Sequence, residues 1–94
     1  MRVYKYVIMP IETMVVVGKL TMPDAAKPLS VGWQDGVGVV MWALVHPAHV
    51  EREYAFEFLP TGGEGPNWAD FHETFVGTVQ MPNGLVGRLF VDYS

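Results

Sequence analysis

Two imidazoles three residues apart, His46 and His49, are the first residues whose type and spacing suggest chemistry; His72 and Asp70 follow later in the chain. Together they could hold a zinc ion, which takes three or four nitrogen, sulfur or oxygen ligands at tetrahedral positions. The spacing argues against it. His46-Pro47-Ala48-His49 is a proline turn rather than a helix face, and no cysteine completes the set. Two exposed turn histidines are expected there, with a metal-dependent hydrolase using His46, His49 and His72 as the remotest reading. Glu51, Glu53 and Glu57 are close in sequence, but their spacing puts them on the solvent face of a strand, where like charges discourage edge-to-edge aggregation. The only serines, Ser30 and Ser94, lie in no glycine-flanked nucleophile elbow.

The glycine stretch Thr61-Gly62-Gly63-Glu64-Gly65 is a better place for a ligand, because glycine-rich backbone can turn several amides toward one anion. It lacks the Lys-Ser/Thr ending of a phosphate-binding P-loop, and no helix pattern follows it. Trp68 stands just beyond, and a tryptophan in a polar loop needs a core or a flat ligand to cover it. His72 comes next. Two arginines complete the set. Arg52 has the parity of Tyr54, Phe56 and Phe58, so its guanidinium stands at the rim of an apolar face, either snorkelling to water or meeting a phosphate or carboxylate with two hydrogen bonds. Arg88, with the parity of Val86 and Phe90, poses the same choice. Trp33 and Trp42 flank a hairpin and are expected in the core or at a subunit contact.

These residues must be positioned by strands. Leu29, Val31 and Trp33 alternate with small or polar neighbours, which is the period of two of a half-buried strand. Asp35-Gly36 then supplies a two-residue type I′ hairpin signal. The returning run from Val37 to Val45 is apolar on both faces, so both faces should be covered. It is expected to be the central strand. Glu51 to Phe58 alternates again, and a one-residue slip would bury three carboxylates, so its register is well specified.

Before this block, Val3–Met9 and Glu12–Leu20 read as strands separated by Pro10. Met22 to Pro28 is a connection with room for a single helical turn over Asp24–Lys27. After it, Phe75–Met81 and Leu85–Val91 read as a last hairpin about Pro82-Asn83-Gly84. The expectation is one β-rich domain over residues 1–94, a small antiparallel β-sandwich or open barrel of about seven hairpin-connected strands.

Composition limits the partners. Half of the residues are hydrophobic and 17% are charged, more apolar surface than a lone domain this small can bury, so a homo-oligomer is expected. Net charge is −4 with basic residues scattered, which argues against nucleic acid, whose binding needs phosphate neutralisation. No apolar run reaches the ~18 residues of a membrane span, no leader segment is visible, and cysteine is absent. Cytoplasmic residence, no membrane and no cofactor are the corresponding expectations.

Several phrases carry a resemblance: Tyr4-Lys5-Tyr6, Met22-Pro23, Ala26-Lys27-Pro28-Leu29-Ser30-Val31, Met41-Trp42-Ala43-Leu44-Val45, Thr61-Gly62 and Phe75-Val76-Gly77-Thr78-Val79-Gln80. In these the chain resembles a family of short proteins encoded by bacteriophages and prophages, departing from its pattern at Glu64 to Asp70. The resemblance implies a phage setting and a β-rich fold, and no catalytic residues. Small phage proteins without enzymatic motifs include families that antagonise host defence, one way being to trap a nucleotide signal in an oligomer. The expected function is therefore a non-enzymatic protein that sequesters a small phosphorylated, nucleotide-like ligand. Its ring would stack on Trp68 or Trp42, and its phosphates would meet Arg52, Arg88 and the amides of Thr61, Gly62 and Gly63, with His72 adding a hydrogen bond. The alternative is an interaction or structural protein docking through its aromatic faces.

Overall fold

The long apolar run forms the middle of a sheet. In the computed structural model, which describes residues 1–13, 17–62 and 73–92, β4 (Gly38–Val45) lies between β1 (Arg2–Pro10) and β3 (Lys27–Gln34), antiparallel to both. Val39, Met41, Ala43 and Val45 of β4 face the core and are completely buried. On its other face Trp42 and Leu44 are half-buried.

A second, four-stranded antiparallel sheet has the order β2 (Val17–Pro23), β5 (Glu51–Pro60), β7 (Val86–Asp92), β6 (Glu73–Gln80). Tyr54, Phe56 and Phe58 of β5 point inward and are buried, as their alternation with the glutamates requires. Leu89 and Val91 of β7 join them, opposite Phe58 and Phe56. The shortest axis of the molecule is 18 Å, which suits two layers packed about 10 Å apart. The fold is thus an all-β sandwich of seven strands, without a helix among the described residues and without barrel closure. Along one side the sheets approach closely: a Cβ placed on Gly77 of β6 would stand 3.0 Å from Val31 Cγ1 of β3.

Several expectations are corrected. Most successive strands are not hairpin-connected: only β3–β4 and β6–β7 pair directly with their sequence neighbour. The connections after Pro10, after Pro23 and through Pro47 carry the chain from one sheet to the other, because proline cannot donate to a continuing ladder. Strand β2 does not extend back to Glu12. Ile11-Glu12 is a turn closed by the Thr13 N–H donating to the Pro10 carbonyl at 3.0 Å, with Glu12 at φ 66. Residues Asp24-Ala25 form a β-turn, not a helical one, with Ala25 at φ 64 and the Ala26 N–H on the Pro23 carbonyl at 3.2 Å.

The Asp35-Gly36 turn is not type I′, since Gly36 has a positive φ of 79 and Asp35 does not. Leu29 is also misplaced by simple parity. A β-bulge between Pro28 and Ser30 interrupts the alternation, so Leu29 is 47% exposed rather than beside Val31 and Trp33.

Candidate functional site

The pairings define two ends of the sandwich. At one lie the turns 10–13, 34–38 and 81–85, drawn together by local chemistry. Pro10 closes β1 opposite Gly38, and the Ile11 N–H donates to the Val37 carbonyl at 2.8 Å, tying the first turn to the β3–β4 hairpin. The last hairpin is a three-residue loop: Met81 donates to the Leu85 carbonyl at 2.8 Å, and Gly84, at φ 86, to that of Met81 at 3.0 Å. Asn83 Oδ1 caps it by accepting the Leu85 N–H at 3.0 Å.

Between these turns opens a groove of about 400 Å³ lined by Pro10, Ile11, Glu12, Thr13, Trp33, Met81, Pro82 and Asn83. That volume falls within the range of small-molecule sites. Trp33 is the aromatic residue of its lining, and its indole N–H donates to Asp35 Oδ1 at 3.0 Å, which restrains the ring. Pro10, Ile11, Met81 and Pro82 complete an apolar lining; Thr13 and Asn83 supply neutral polar groups and Glu12 the one carboxylate among the described lining residues. None of these lining residues is a cation, and none pairs a nucleophile with a base. The arrangement suits burial of a flat, weakly polar ring.

At the opposite end the β2–β3 and β4–β5 turns meet. Tyr54 Oη donates to the Pro23 carbonyl at 3.0 Å and accepts the Ala26 N–H at 3.3 Å. His49 Nδ1 lies 2.9 Å from the Asp24 carbonyl, and Arg52 sits 4.6 Å above the Tyr54 ring and 3.4 Å from Asp24 Oδ1. His46 stacks on His49 with centroids 4.5 Å apart and planes 22° from parallel. Nitrogen lone pairs lie in the ring planes, so rings stacked this way do not converge on one ion. No cluster of three or more metal-ligating residues occurs among the described residues. Nearby, burial, and after it the Glu51 carboxylate with the Tyr4 and Tyr54 phenols, raises the pKa of Tyr6 above its ordinary 10.0.

The residues singled out from sequence are dispersed. Arg52 is the second residue of β5 and Thr61 follows its end, so they are nine residues apart, roughly 30 Å at the rise of a strand. The Thr61 N–H is engaged by the Val86 carbonyl at 2.8 Å and is not presented to a ligand. Arg88 is exposed on the outer face of the four-stranded sheet, paired with Leu59, while Thr61 bonds to Val86, so Arg88 is two residues along the ladder from Thr61. Trp42 lies on the outer face of the other sheet, its ring over Gly32 at 3.5 Å from where a Cβ would be. Gly63, Trp68 and His72 lie outside the described residues.

The sequence reading placed Trp33 in the core or at a contact, and it does pack against the core; that it also lines a groove was missed. Its prolines and turn glycines were visible, but which turns share an end depends on the order of the strands.

A two-sheet antiparallel sandwich with a groove lined in part by an aromatic residue at one end is the class of protein that these features define. By sequence, the chain belongs to a family defined by a domain of unknown function (DUF7352), whose model matches residues 1–93. No curated protein and no solved structure matches it. No helix among the described residues is long and apolar enough to cross a membrane, which leaves strands out of account.

Proposed function

We propose that the protein binds a small molecule without turning it over, seating a flat ring in the groove against Trp33. The observation that carries this reading is the groove itself, about 400 Å³ with a restrained indole in its lining. The apolar lining favours a ring over a phosphate, and no described lining residue would neutralise one. If the ligand is a nucleotide-derived signal, as the resemblance to phage proteins suggests, its base occupies the groove and its phosphates stay in solvent. Sequestration of a host defence signal is the form this activity takes in a phage setting.

Thermal unfolding with and without nucleotides, cyclic nucleotides, ADP-ribose derivatives and uncharged flat heteroaromatics tests the proposal. A ligand at about 100 times its dissociation constant adds about 2.7 kcal/mol to stability, a rise of several degrees in Tm for a domain of this size. The expected result is a shift with one class, abolished by Trp33→Ala, kept by Trp42→Ala, with the ligand recovered intact. A shift that survives Trp33→Ala places the ligand elsewhere.

Docking of a protein is the second reading. It is favoured by the outer face of the three-stranded sheet, where Val3 and Val7 are 56% and 48% exposed, beside the half-buried Trp42 and Leu44.

A further inference from the structure

Strand edges differ in how they are protected. Natural edges carry charges, prolines, bulges or a cover, because an unpaired row of amides and carbonyls recruits another strand. β3 carries Lys27, Pro28 and a bulge, and β6 packs close to it at Gly77. β2 ends in Pro23 and carries Gly18 and Lys19. β1 confines these devices to its ends, with Arg2 at the start and a bulge between Val7 and Met9 followed by Pro10. That leaves Val3–Val7 as a regular stretch, and no described strand pairs with its outer edge. Val3, Tyr4 and Val7 are 56%, 40% and 48% exposed. The one charge in its middle is withdrawn: Lys5 Nζ reaches across its own sheet to Gln34 Oε1 at 2.8 Å.

We infer that β1 is the interface of a two-fold symmetric dimer, in which it pairs antiparallel with β1 of a second copy about an axis through Lys5. The occupant is a second copy because the strand is self-complementary in that register. Val3 falls opposite Val7 on the outer face, and Tyr4 opposite Tyr6 on the inner face, so over Val3–Val7, up to the bulge at Ile8, the two copies match in polarity and size. Aromatic and β-branched pairs are the favourable cross-strand combinations. Like charges directly opposite are unfavourable, and the Lys5–Gln34 bond draws each ammonium over its own sheet, away from the axis. The product is a continuous six-stranded sheet, and an isologous contact of this kind closes on itself rather than growing into a fibre.

Sedimentation equilibrium over roughly a hundredfold range of protein concentration reads the assembly directly. The wild type is expected to reach about 21 kDa, twice the 10.5 kDa of the chain. Val3→Lys and Val7→Lys, both at exposed positions, should return it to the monomer mass with a far-ultraviolet spectrum near wild type and a Tm that no longer rises with protein concentration. Leu29→Lys, an equally exposed apolar position on β3, should leave the dimer intact. If Val7→Lys proves unfolded, hydrogen exchange of the wild type decides: β1 amides should gain protection as concentration rises, and β3 amides should not. A monomer throughout the range overturns the inference, as does a dimer that survives both lysine variants or is broken by Leu29→Lys.

Discussion

Ala25 is held in a left-handed conformation that an L-residue with a Cβ adopts at a cost of roughly 1–2 kcal/mol. The turn persists because its neighbours over-determine it, and Tyr54 is the main cause. Its hydroxyl is a buried hinge between two turn groups, the Pro23 carbonyl and the Ala26 N–H, and Ala26 itself is 2% exposed. Arg52 and Asp24 add little, since an ion pair at 3.4 Å with side chains 35% and 58% exposed is screened and contributes under about 1 kcal/mol. Tyr54→Phe should therefore lower stability by about 1–3 kcal/mol, the cost of leaving buried polar groups unpaired. A urea titration would show this as a lower midpoint with unchanged slope. A loss below about 0.5 kcal/mol would mean that water replaces the hydroxyl. Arg52→Ala should cost distinctly less. Arg52 is legible in sequence as an arginine at an aromatic rim, and it lies where parity put it. Its partner Asp24 was not legible, because the contact joins residues 28 apart through a turn whose strained geometry nothing in Asp24-Ala25 announces.

Strands β2, β5 and β7 show how small residues set the packing of a sheet. The inward-facing Phe56 and Phe58 of β5 lie over glycines of the strands on either side. A Cβ on Gly18 of β2 would fall 2.6 Å from Phe56 Cζ, and one on Gly87 of β7 would overlap the ring of Phe58. Phe58 is fully buried, so its ring has nowhere to retreat. Gly87→Ala should destabilise by about 1–3 kcal/mol through overpacking, although alanine suits most backbone positions better than glycine. The same urea titration tests this, and the double variant Gly87→Ala, Phe58→Leu should recover part of the loss if ring overlap is its cause. At this scale much was readable. The alternation Glu51-Arg52-Glu53-Tyr54-Ala55-Phe56-Glu57-Phe58 fixed which side of β5 is buried, and the two-faced apolar run fixed β4 as central. Bulges were not readable, since Leu29 and Val76 look like ordinary members of an alternating pattern. The turns yielded their positions but not all their types, because Asp-Gly is compatible with more than one geometry.

Across the whole molecule, the prolines and the Xaa-Gly turns divide the labour. Asp35-Gly36 and Pro82-Asn83-Gly84 return the chain within a sheet, whereas Pro10, Pro23 and Pro47 mark its passages between sheets. The sequence displayed both kinds of punctuation without saying which strands they bring side by side, and the groove beside Trp33 exists only once the first, third and sixth connections share an end. The resulting strand orders, β1-β4-β3 and β2-β5-β7-β6, rest mostly on pairings distant in sequence, and they grade stability by position. Strands β4, β5 and β7 are flanked on both sides and contribute the fully buried Val39, Met41, Ala43, Phe58, Leu89 and Val91. Their amides can exchange with solvent only when the sandwich opens as a whole. Edge strands have one set of neighbours and open locally. Native-state hydrogen exchange should accordingly find the slowest amides in Val39–Val45, Tyr54–Phe58 and Leu89–Val91, with free energies that converge on the value from denaturant unfolding. β2 should exchange through smaller openings that denaturant barely affects. Equal protection in β2 and β5 would show that the two sheets do not open in this graded way, and that the four-stranded sheet behaves as one cooperative unit to its edge.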